Sequence, residues 1–260
     1  MTTTSVPLTA GLQALDVSSD RLAKHVDDLT PDDLNRPSSA HGWRIADVLS
    51  HLGSAAEICT VLARRSTRGD TTAPTRELVE PIWDRWNQMS PARQRSAWRD
   101  ADTGFRALLS TLDPATRVPY FSGLLDLGEF VGYRLSEQSV HGWDIEVVSD
   151  PGAAIPQAEL ELLWGRLELV VSRFHDGETR DRLAPARIAI ELVDTAQRWW
   201  LEVDDGVHLH PGTIPDATAT MRGDAQPALL TIYGRSRTND RLQFEGAISG
   251  NNVTSLFPGY

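Results

Sequence analysis

The sequence predicts an α+β protein of two domains, an antiparallel four-helix bundle over residues 1–152 and a small α+β domain over residues 153–260. Three observations support this prediction. Apolar residues recur at helical spacing as far as residue 148, glycine and proline cluster in the segment SDPGAAIP at 149–156, and short strand-like runs dominate after about residue 185. A chain of 260 residues is long enough to form two ordinary domains.

Four helical regions make up the predicted bundle. The first covers about residues 8–29 and the second about 44–65, and each has one apolar face. A third helical region is interrupted near Ser90-Pro91 and ends at about residue 112. The fourth covers about residues 122–148 and is apolar nearly all round, which predicts that it is the most buried of the four.

The C-terminal domain is expected to begin with one helix over about residues 157–174. Asp204-Asp205-Gly206 has the composition of a hairpin turn between two strands. The remaining elements are predicted from alternating apolar residues and glycine or proline breaks. They are the strands ARIAIELV, QRWWLEVDD, GVHLHPG, DATATMRG and LQFEGAI, the helix DAQPALLTIYGR and a short helix in SGNNVTSLF.

Composition excludes several functional classes. The net charge of −11 disfavours nucleic acids and anionic membranes as partners, since both are bound through basic surfaces. No apolar run reaches about 18 residues, so we expect no membrane span. The N-terminal segment lacks the basic start and apolar middle of a signal peptide. With Cys59 as the only cysteine, an internal disulfide is impossible, and a cytoplasmic location is expected.

Glu137 and His141 form the most informative pair in the sequence. They stand four residues apart in the fourth predicted helix, so they share one face, one turn apart. A carboxylate and an imidazole on a buried face are costly unless a partner satisfies them. A divalent metal suits such a pair, with a third ligand from another element. The apolar residues on the same stripe are Leu127, Phe130, Ile145 and Val148.

Two simpler interpretations compete with a metal site. A helical histidine is often a core residue with an ordinary hydrogen-bond partner, and Glu137 has Arg134 one turn away as a possible ion-pair partner.

Asp144 lies on the same face, three residues after His141. Its carboxylate is placed to accept the second ring N–H of His141, an arrangement that orients metal-bound imidazoles.

His51 is the best-placed third ligand. It lies one to two turns into the second helix, where packing can hold it facing the fourth helix. His41 is the alternative, but it lies in a loop before Gly42 and its position is poorly fixed. His208 and His210 alternate along a predicted strand of the other domain, and a surface position is expected for them.

Three protein ligands leave a coordination position open, as in catalytic rather than structural metal sites. Water or a thiol bound there would have a lowered pKa and would serve as a nucleophile. Cys59 is not expected to be that nucleophile, because it lies on the apolar stripe of the second helix. A thiol would therefore come from outside the chain.

At these residues the chain resembles the mycothiol-dependent maleylpyruvate isomerase family, a branch of the DinB-like four-helix bundles. The resemblance rests on WRIADVLSHL at 43–52 and EQSVHGWD at 137–144, and it covers the N-terminal 150 residues. The C-terminal part is similar to the family's sterol-carrier-like α+β domain, with a loose match at MRGDAQPALLTIYGR.

The resemblance implies a divalent metal, usually zinc, held by His51, Glu137 and His141, and mycothiol as a thiol that binds through sulfur. In the isomerases, addition of the thiol to a cis double bond permits rotation, and elimination returns the trans product. Related members leave the thiol attached and are S-transferases.

An isomerase acting on a maleylpyruvate-type substrate needs cationic groups near the metal, since that substrate carries two carboxylates. Arg134 faces the predicted site, and Arg222, Arg235 and Arg237 are candidates from the second domain; surface or interdomain ion pairs are the alternative for each. We therefore predict a metal- and mycothiol-dependent isomerase with a small-molecule substrate. A mycothiol S-transferase, a metal-hydroxide hydrolase and a non-catalytic small-molecule carrier remain open alternatives.

Overall fold

The computed structural model describes residues 5–235 and 241–259. Within these residues the chain divides into two compact units, one that ends at Glu159 and one that begins at Leu160. The first unit combines helices with a short hairpin, and the second combines a mixed sheet with helices, which confirms the predicted α+β fold class. The division lies inside a helix, a few residues after the boundary suggested by the sequence at residue 152.

The N-terminal unit is a helical bundle with an inserted hairpin. A short 3-10 turn, Asp33–Asn35, follows its first helix. The main elements are α1 (Leu8–Asp27), α2 (Ile45–Ser66), α3 (Arg76–Asn87), α4 (Pro91–Leu109), β1 (Arg117–Tyr120), β2 (Gly123–Asp126) and α5 (Leu127–Glu146).

The hairpin shows that the predicted start of the last bundle helix was wrong. The last bundle helix does not begin near residue 122, because Gly123–Asp126 is a strand that pairs antiparallel with β1. The helix begins at Leu127, after a reciprocal cap: Asp126 accepts the backbone N–H of Glu129 at 2.8 Å, and Glu129 accepts that of Asp126 at 3.0 Å. Leu124 and Leu125 continue the apolar pattern of the helix upstream of this cap, which is why the sequence placed the start too early.

Contacts between side chains give the directions of the helices. Arg21 pairs with Glu146 near the ends of α1 and α5, and Ser18 meets Ser139 further back along both, so these two helices run parallel. Two helices joined directly by a short loop run antiparallel. Helices α2 and α4 are not joined directly, because α3 and its two loops lie between them in the chain, so these two helices can run in the same direction.

The remaining interfaces of the bundle are antiparallel. In α4, Arg99 pairs with Asp27 and Arg106 with Asp16, so α4 runs against α1. The loop before α2 meets the C-terminal part of α5, and a later residue of α2 meets an earlier part of α5, so these two helices also run in opposite directions. The bundle is therefore parallel across two of its interfaces and antiparallel across the other two.

Helices α2 and α5 form the centre of the bundle. In α5, 17 of the 20 residues are buried, as its all-round apolar pattern predicted. Helix α2 is long and apolar enough, by length and composition only, to cross a membrane. However, 67% of its apolar window is buried inside the protein, which is typical of a core helix. Asp47 and Glu57 add charges within its span.

The C-terminal unit contains a five-stranded sheet with the order β5-β4-β3-β6-β7, in which the β3 and β6 pair is parallel and the other pairs are antiparallel. The turn at Asp204-Asp205-Gly206 joins β4 to β5, as predicted, with the N–H of Asp204 donating to the carbonyl of Gly206. The strands are β3 (Ala186–Leu192), β4 (Arg198–Val203), β5 (Val207–Pro211), β6 (Ala219–Gly223) and β7 (Gln243–Gly246).

Residues alternate between the two faces of this sheet, and one face forms the core of the unit. Ile188, Ile190 and Leu201 are almost fully buried, whereas Arg187 on the opposite face is exposed. The helices of this part are α6 (Gln157–Gly165), α7 (Leu167–Arg173), α8 (Gly177–Leu183), α9 (Ala225–Ile232) and α10 (Gly250–Leu256).

One helix prediction for this part of the chain was wrong, and one helix was missed. The single helix expected over residues 157–174 is divided into α6 and α7, because the backbone leaves the helical region at Arg166, with φ −115° and ψ 6°. Helix α8 was not predicted. Its sequence, GETRDRL, is mostly polar, and Thr179 is its one buried residue, so it carries no apolar stripe to reveal it.

Candidate metal centre

Helix α2 places His51 at the edge of its buried face. The start of the helix is fixed at Arg44, whose backbone N–H donates to the carboxylate of Asp47 at 2.9 Å. His51 follows almost two turns after this cap, next to the fully buried Leu52. The regular helix therefore aims the imidazole toward α5 while leaving it partly exposed.

Helix α5 supplies Glu137 and His141 from one face, one turn apart. Nε2 of His51 lies 2.7 Å from Oε2 of Glu137, and Nε2 of His141 lies 3.8 Å from the same oxygen. The centres of the two imidazole rings are 4.8 Å apart, with the planes inclined by 68°. Side chains from two antiparallel helices thus converge at one point.

This donor set suits a divalent metal. The three ligand atoms all lie within 4.8 Å of one another. In a tetrahedral site with ligand distances of about 2.1 Å, two ligand atoms are about 3.4 Å apart, so side-chain shifts of about 1 Å would close the set around a cation. Two imidazole nitrogens and one carboxylate oxygen form the set found in many catalytic zinc sites.

The carboxylate of Asp144 contacts the ring nitrogen of His141 that faces away from Glu137. Its Oδ2 lies 2.9 Å from Nδ1 of His141, and its side chain is fully buried. A carboxylate only accepts hydrogen bonds, so Nδ1 carries the proton of the neutral ring. The lone pair is then on Nε2, which faces Glu137 and His51, as a metal ligand requires.

The charges at the cluster favour an ionised carboxylate at Glu137. Burial alone would raise the pKa of Glu137, but its hydrogen bond to His51 and the charges of His51, His141 and Arg134 outweigh that effect and lower the pKa to about 2. Burial lowers the pKa of His141, against the opposing effect of Asp144. Both shifts favour the protonation states that bind a cation.

One side of the cluster is accessible. The exposed fraction of the side chain is 32% for His51, 19% for Glu137 and 7% for His141. Access therefore lies on the side of His51, and His141 is the enclosed member. Three protein ligands leave at least one coordination position for a molecule from outside, as in catalytic sites.

The sequence profile of the mycothiol maleylpyruvate isomerase N-terminal domain matches residues 15–146, just over half of the 260-residue chain. This protein belongs to that family. The match includes α2 and α5, and with them all three candidate ligands. Among curated protein sequences, none matches the chain.

Solved structures agree with the family in fold. A crystal structure of the mycothiol-dependent maleylpyruvate isomerase superposes with a TM-score of 0.71 at 14% sequence identity, covering 94% of this chain and 96% of the other. A histidine-to-alanine mutant of the mycothiol-dependent maleylpyruvate isomerase gives a TM-score of 0.70 at 13% identity, with the same coverage. The likeness in fold therefore includes the sheet-containing part as well as the family's bundle domain.

Arg134 lies one turn before Glu137 on α5 and is almost fully buried. Its Nη2 lies 3.5 Å from the carbonyl oxygen of Leu52, and its guanidinium lies over the ring of Phe105 at 5.6 Å. Its Nε and Nη1 have no hydrogen-bond partner within the described residues. The ion pair with Glu137, which was the alternative to a metal site, is not a direct contact among the described residues, although the positive charge contributes to the lowered pKa of Glu137.

The three other arginines predicted to bind substrate belong to the sheet-containing unit. Arg222 pairs with Glu191 at 3.1 Å, and Arg235 donates to the carbonyl of Tyr233 at 2.6 Å. Arg237 lies outside the described residues. A role of these arginines in substrate binding stays a prediction.

His41 is not part of the cluster, and His208 and His210 have partners of their own in the sheet-containing unit. His41 is exposed in the turn before α2, and the described residues bring His51, not His41, to the pair on α5. In the sheet, His208 lies 3.0 Å from a carboxylate oxygen of Glu168, and His210 stacks on Trp200. These are ordinary surface partners.

Cys59 is buried within α2, as its position on the apolar stripe predicted. Burial raises the pKa of its thiol to about 11, with a smaller opposing effect from Arg134. The thiol is therefore protonated at neutral pH, and protonated, enclosed cysteines are poor nucleophiles. This supports a packing role.

Trp43 is a neighbour of the cluster to which the sequence assigned no role. Its ring centre lies 5.1 Å from that of His51 and 5.6 Å from that of His141, nearly parallel to the latter at 19°. The residue lies just before the N-terminus of α2, in a polar loop. In the sequence analysis it appears only as the first residue of WRIADVLSHL, one of the two segments that carry the family resemblance.

Proposed function

We propose that this protein is a divalent-metal- and mycothiol-dependent enzyme that acts on an electrophilic small molecule in the manner of a maleylpyruvate isomerase. The observation that carries the proposal is the convergence of His51, Glu137 and His141, whose ligand atoms lie within 4.8 Å of one another. Membership of the mycothiol maleylpyruvate isomerase family supports the choice of mycothiol as the thiol.

In this proposal three residues bind the ion and a fourth orients one of them. His51, Glu137 and His141 hold the ion, and Asp144 fixes the tautomer and orientation of His141. When bound, zinc or a similar ion lowers the pKa of a coordinated thiol, so that the sulfur is present as thiolate at neutral pH. The accessible side at His51 is where the thiol and the substrate enter.

An anionic substrate is supported by Arg134. Its guanidinium is almost fully buried one turn from Glu137, and its charge contributes to the lowered pKa of that carboxyl. That charge favours a site that accepts negative groups, such as a thiolate or a substrate carboxylate. Direct contact between Arg134 and the substrate belongs to the proposal, and a substrate with carboxylate groups is the type that it fits.

A cytoplasmic location is part of the same proposal. It is supported by Cys59, which is buried as a free thiol, and by dependence on a low-molecular-weight thiol. The acidic net charge of −11 supports a small-molecule partner rather than a nucleic acid or a membrane surface.

Metal analysis combined with a thiol-dependent assay tests the proposal. We expect purified protein to hold about one equivalent of zinc, with loss of most of the metal in Glu137→Gln and His141→Ala and retention in His41→Ala. His41→Ala is a matched control, since it removes an imidazole close in sequence to the site. Unchanged metal content in the first two variants would contradict the metal centre.

The product then distinguishes the possible reactions. With maleylpyruvate and mycothiol, we expect formation of the trans isomer while the concentration of thiol stays constant. A stable thiol adduct seen by mass spectrometry would instead identify an S-transferase. Turnover without thiol would identify a hydrolase, and binding without turnover of any electrophile would identify a carrier protein.

A further inference from the structure

Trp43 forms a wall of the candidate metal centre. Its indole is stacked on His141 and tilted against His51, with ring centres 5.6 Å and 5.1 Å away. Each of the two imidazoles also lies edge-on to the other, at 4.8 Å. The three rings therefore form one compact group, in which the indole contacts both imidazoles.

Hydrogen bonds within the loop that carries Trp43, and one bond to α5, hold this loop in place. The backbone N–H and the hydroxyl of Ser38 both donate to the carbonyl of Trp43, at 2.8 and 2.9 Å, and the N–H of Trp43 donates to Ala40 at 3.2 Å. The N–H of Ser39 donates to the carbonyl of Asp144 at 2.9 Å. The loop is thus attached to the helical turn that contains His141.

Core packing does not explain the position of this side chain. Trp86 and Trp98 are 2% and 1% exposed, as expected for tryptophans that stabilise a core. Trp43 is 37% exposed and lies against two imidazoles. An indole held in this way contributes less hydrophobic stabilisation than an enclosed one.

The two histidines differ in what fixes their rings. Nδ1 of His141 is held by Asp144 at 2.9 Å. Nδ1 of His51 makes no hydrogen bond within the described residues; the bond of His51 is made by Nε2, the atom that a metal would take. Metal-bound histidines usually have their second nitrogen held by a neighbour. For His51, the contact with Trp43 limits rotation of the ring in addition to the bond of Nε2 to Glu137.

We propose that Trp43 is a positioning residue of the metal centre, which limits the orientation of the His51 ring. This inference rests on the proposed function, because it needs the cluster to bind a metal. Without the indole, only the bond of Nε2 to Glu137 would hold the His51 ring before metal binds, and that bond is lost when a metal takes Nε2. Affinity for the ion would fall and the geometry of the bound ion would change, with no loss of a ligand.

Cobalt binding tests this inference independently of activity. Co²⁺ reports its coordination geometry through its visible absorption, and it quenches the fluorescence of a nearby indole. The variants are Trp43→Ala, Trp43→Phe and the control Trp83→Ala, which removes a tryptophan of similar exposure (39%) from α3. Zn²⁺ competition gives the affinities, and circular dichroism checks that each variant is folded.

We expect Trp43→Ala to weaken Co²⁺ binding about 10–100-fold, as for loss of a group that orients a ligand, and to change the absorption spectrum. Trp43→Phe should restore most of the affinity and the spectrum. The fluorescence quenched by Co²⁺ should be lost in both Trp43 variants and remain in Trp83→Ala.

The outcomes separate this inference from the proposed function. An affinity and a spectrum of Trp43→Ala equal to those of the wild type would overturn the inference alone. Equal weakening in Trp83→Ala would also overturn it, since the effect would then be general. Failure of the wild-type protein to bind Co²⁺ or Zn²⁺ would overturn the metal-dependent function together with this inference.

Discussion

Nδ1 of His141 lies 2.9 Å from Oδ2 of Asp144, whose side chain is fully buried within α5. We predict that Asp144→Asn lowers zinc affinity about 10–100-fold, because an amide has no charge with which to increase the basicity of the ring and offers an N–H as readily as an oxygen. Competition with a chromophoric chelator measures the affinity. Asp84→Asn, an exposed site on α3, serves as the control. Equal affinities in the two variants would exclude a role for Asp144.

Zinc should stabilise the folded protein through the same cluster. At a free concentration 100 times its dissociation constant, a ligand that binds only the folded state adds about 2.7 kcal/mol to the free energy of unfolding. For a unit of this size, that corresponds to an increase of roughly 5–10 °C in the unfolding midpoint. We expect this increase in the wild type and in Glu80→Gln, an exposed carboxylate on α3, but not in Glu137→Gln. Thermal unfolding with and without zinc provides the measurement, and a shift in Glu137→Gln as large as in the wild type would place the metal elsewhere.

Cys59 should be unreactive in the folded protein. Its pKa of about 11, raised by burial, leaves almost no thiolate at pH 8. Iodoacetamide should therefore modify the chain only after denaturation, as followed by mass spectrometry. Cys59→Ala should keep the thiol-dependent activity, since the nucleophile is supplied by an external thiol. Rapid modification of the native protein at pH 8 would show that the thiol is accessible.

The same shift predicts a stability change at high pH. A thiol whose pKa is higher in the folded state than in the unfolded state is protonated in both states below pH 9, so its contribution is fully present there. Between pH 9 and 11 the unfolded state releases the proton first, and stability falls by up to roughly 3 kcal/mol. Urea unfolding at pH 8 and pH 10.5 should show a smaller fall for Cys59→Ala than for the wild type. Equal falls would mean that the thiol titrates normally.

The three candidate ligands were accessible to sequence analysis because a regular helix determines which residues share a face. Glu137 and His141 stand at the spacing of one turn, and the helix around them is regular from Leu127 to Glu146. His51 lies on the partly buried edge of α2, so its direction follows from the apolar stripe beside it. The spacing indicated the residues, whereas the distance of 2.7 Å between His51 and Glu137 needed coordinates.

The place of Trp43 could not be derived in this way. Its loop is shaped by the bond between Ser39 and Asp144, which are far apart in the sequence, and by the short bonds of Ser38. No periodic pattern encodes such contacts, because loops follow tertiary partners rather than a repeating geometry. The indole was therefore visible in the sequence only as part of a family resemblance.

The capping residues explain why the predicted start of α5, near residue 122, was wrong. The apolar residues Leu124 and Leu125 extended the helical pattern of α5 upstream, and periodicity alone does not separate a short strand from a helix. The pair Asp126 and Glu129 marks the true start. A carboxylate three residues before a glutamate is visible in the sequence, so this boundary was within reach of the capping rule.

Two glycines provide a matched test of packing in the bundle. A Cβ added at Gly53 of α2 would lie 2.2 Å from two ring carbons of Trp86. That ring is buried, and its Nε1 donates to Glu57 at 2.8 Å, so it cannot move without breaking a hydrogen bond. Overpacking of this kind costs about 1–3 kcal/mol, and we expect Gly53→Ala to destabilise the protein despite the better helix propensity of alanine.

Gly104 of α4 gives the opposite expectation, since an added Cβ there would meet nothing within 4 Å. Gly104→Ala should stabilise the protein by about 0.5–1 kcal/mol, because alanine loses less backbone entropy than glycine in a helix. Urea unfolding of both variants measures the difference. An increased free energy of unfolding in both variants would show that the ring of Trp86 moves at little cost. A decrease in both would show that the position of Gly104 on α4 is not open in the folded protein.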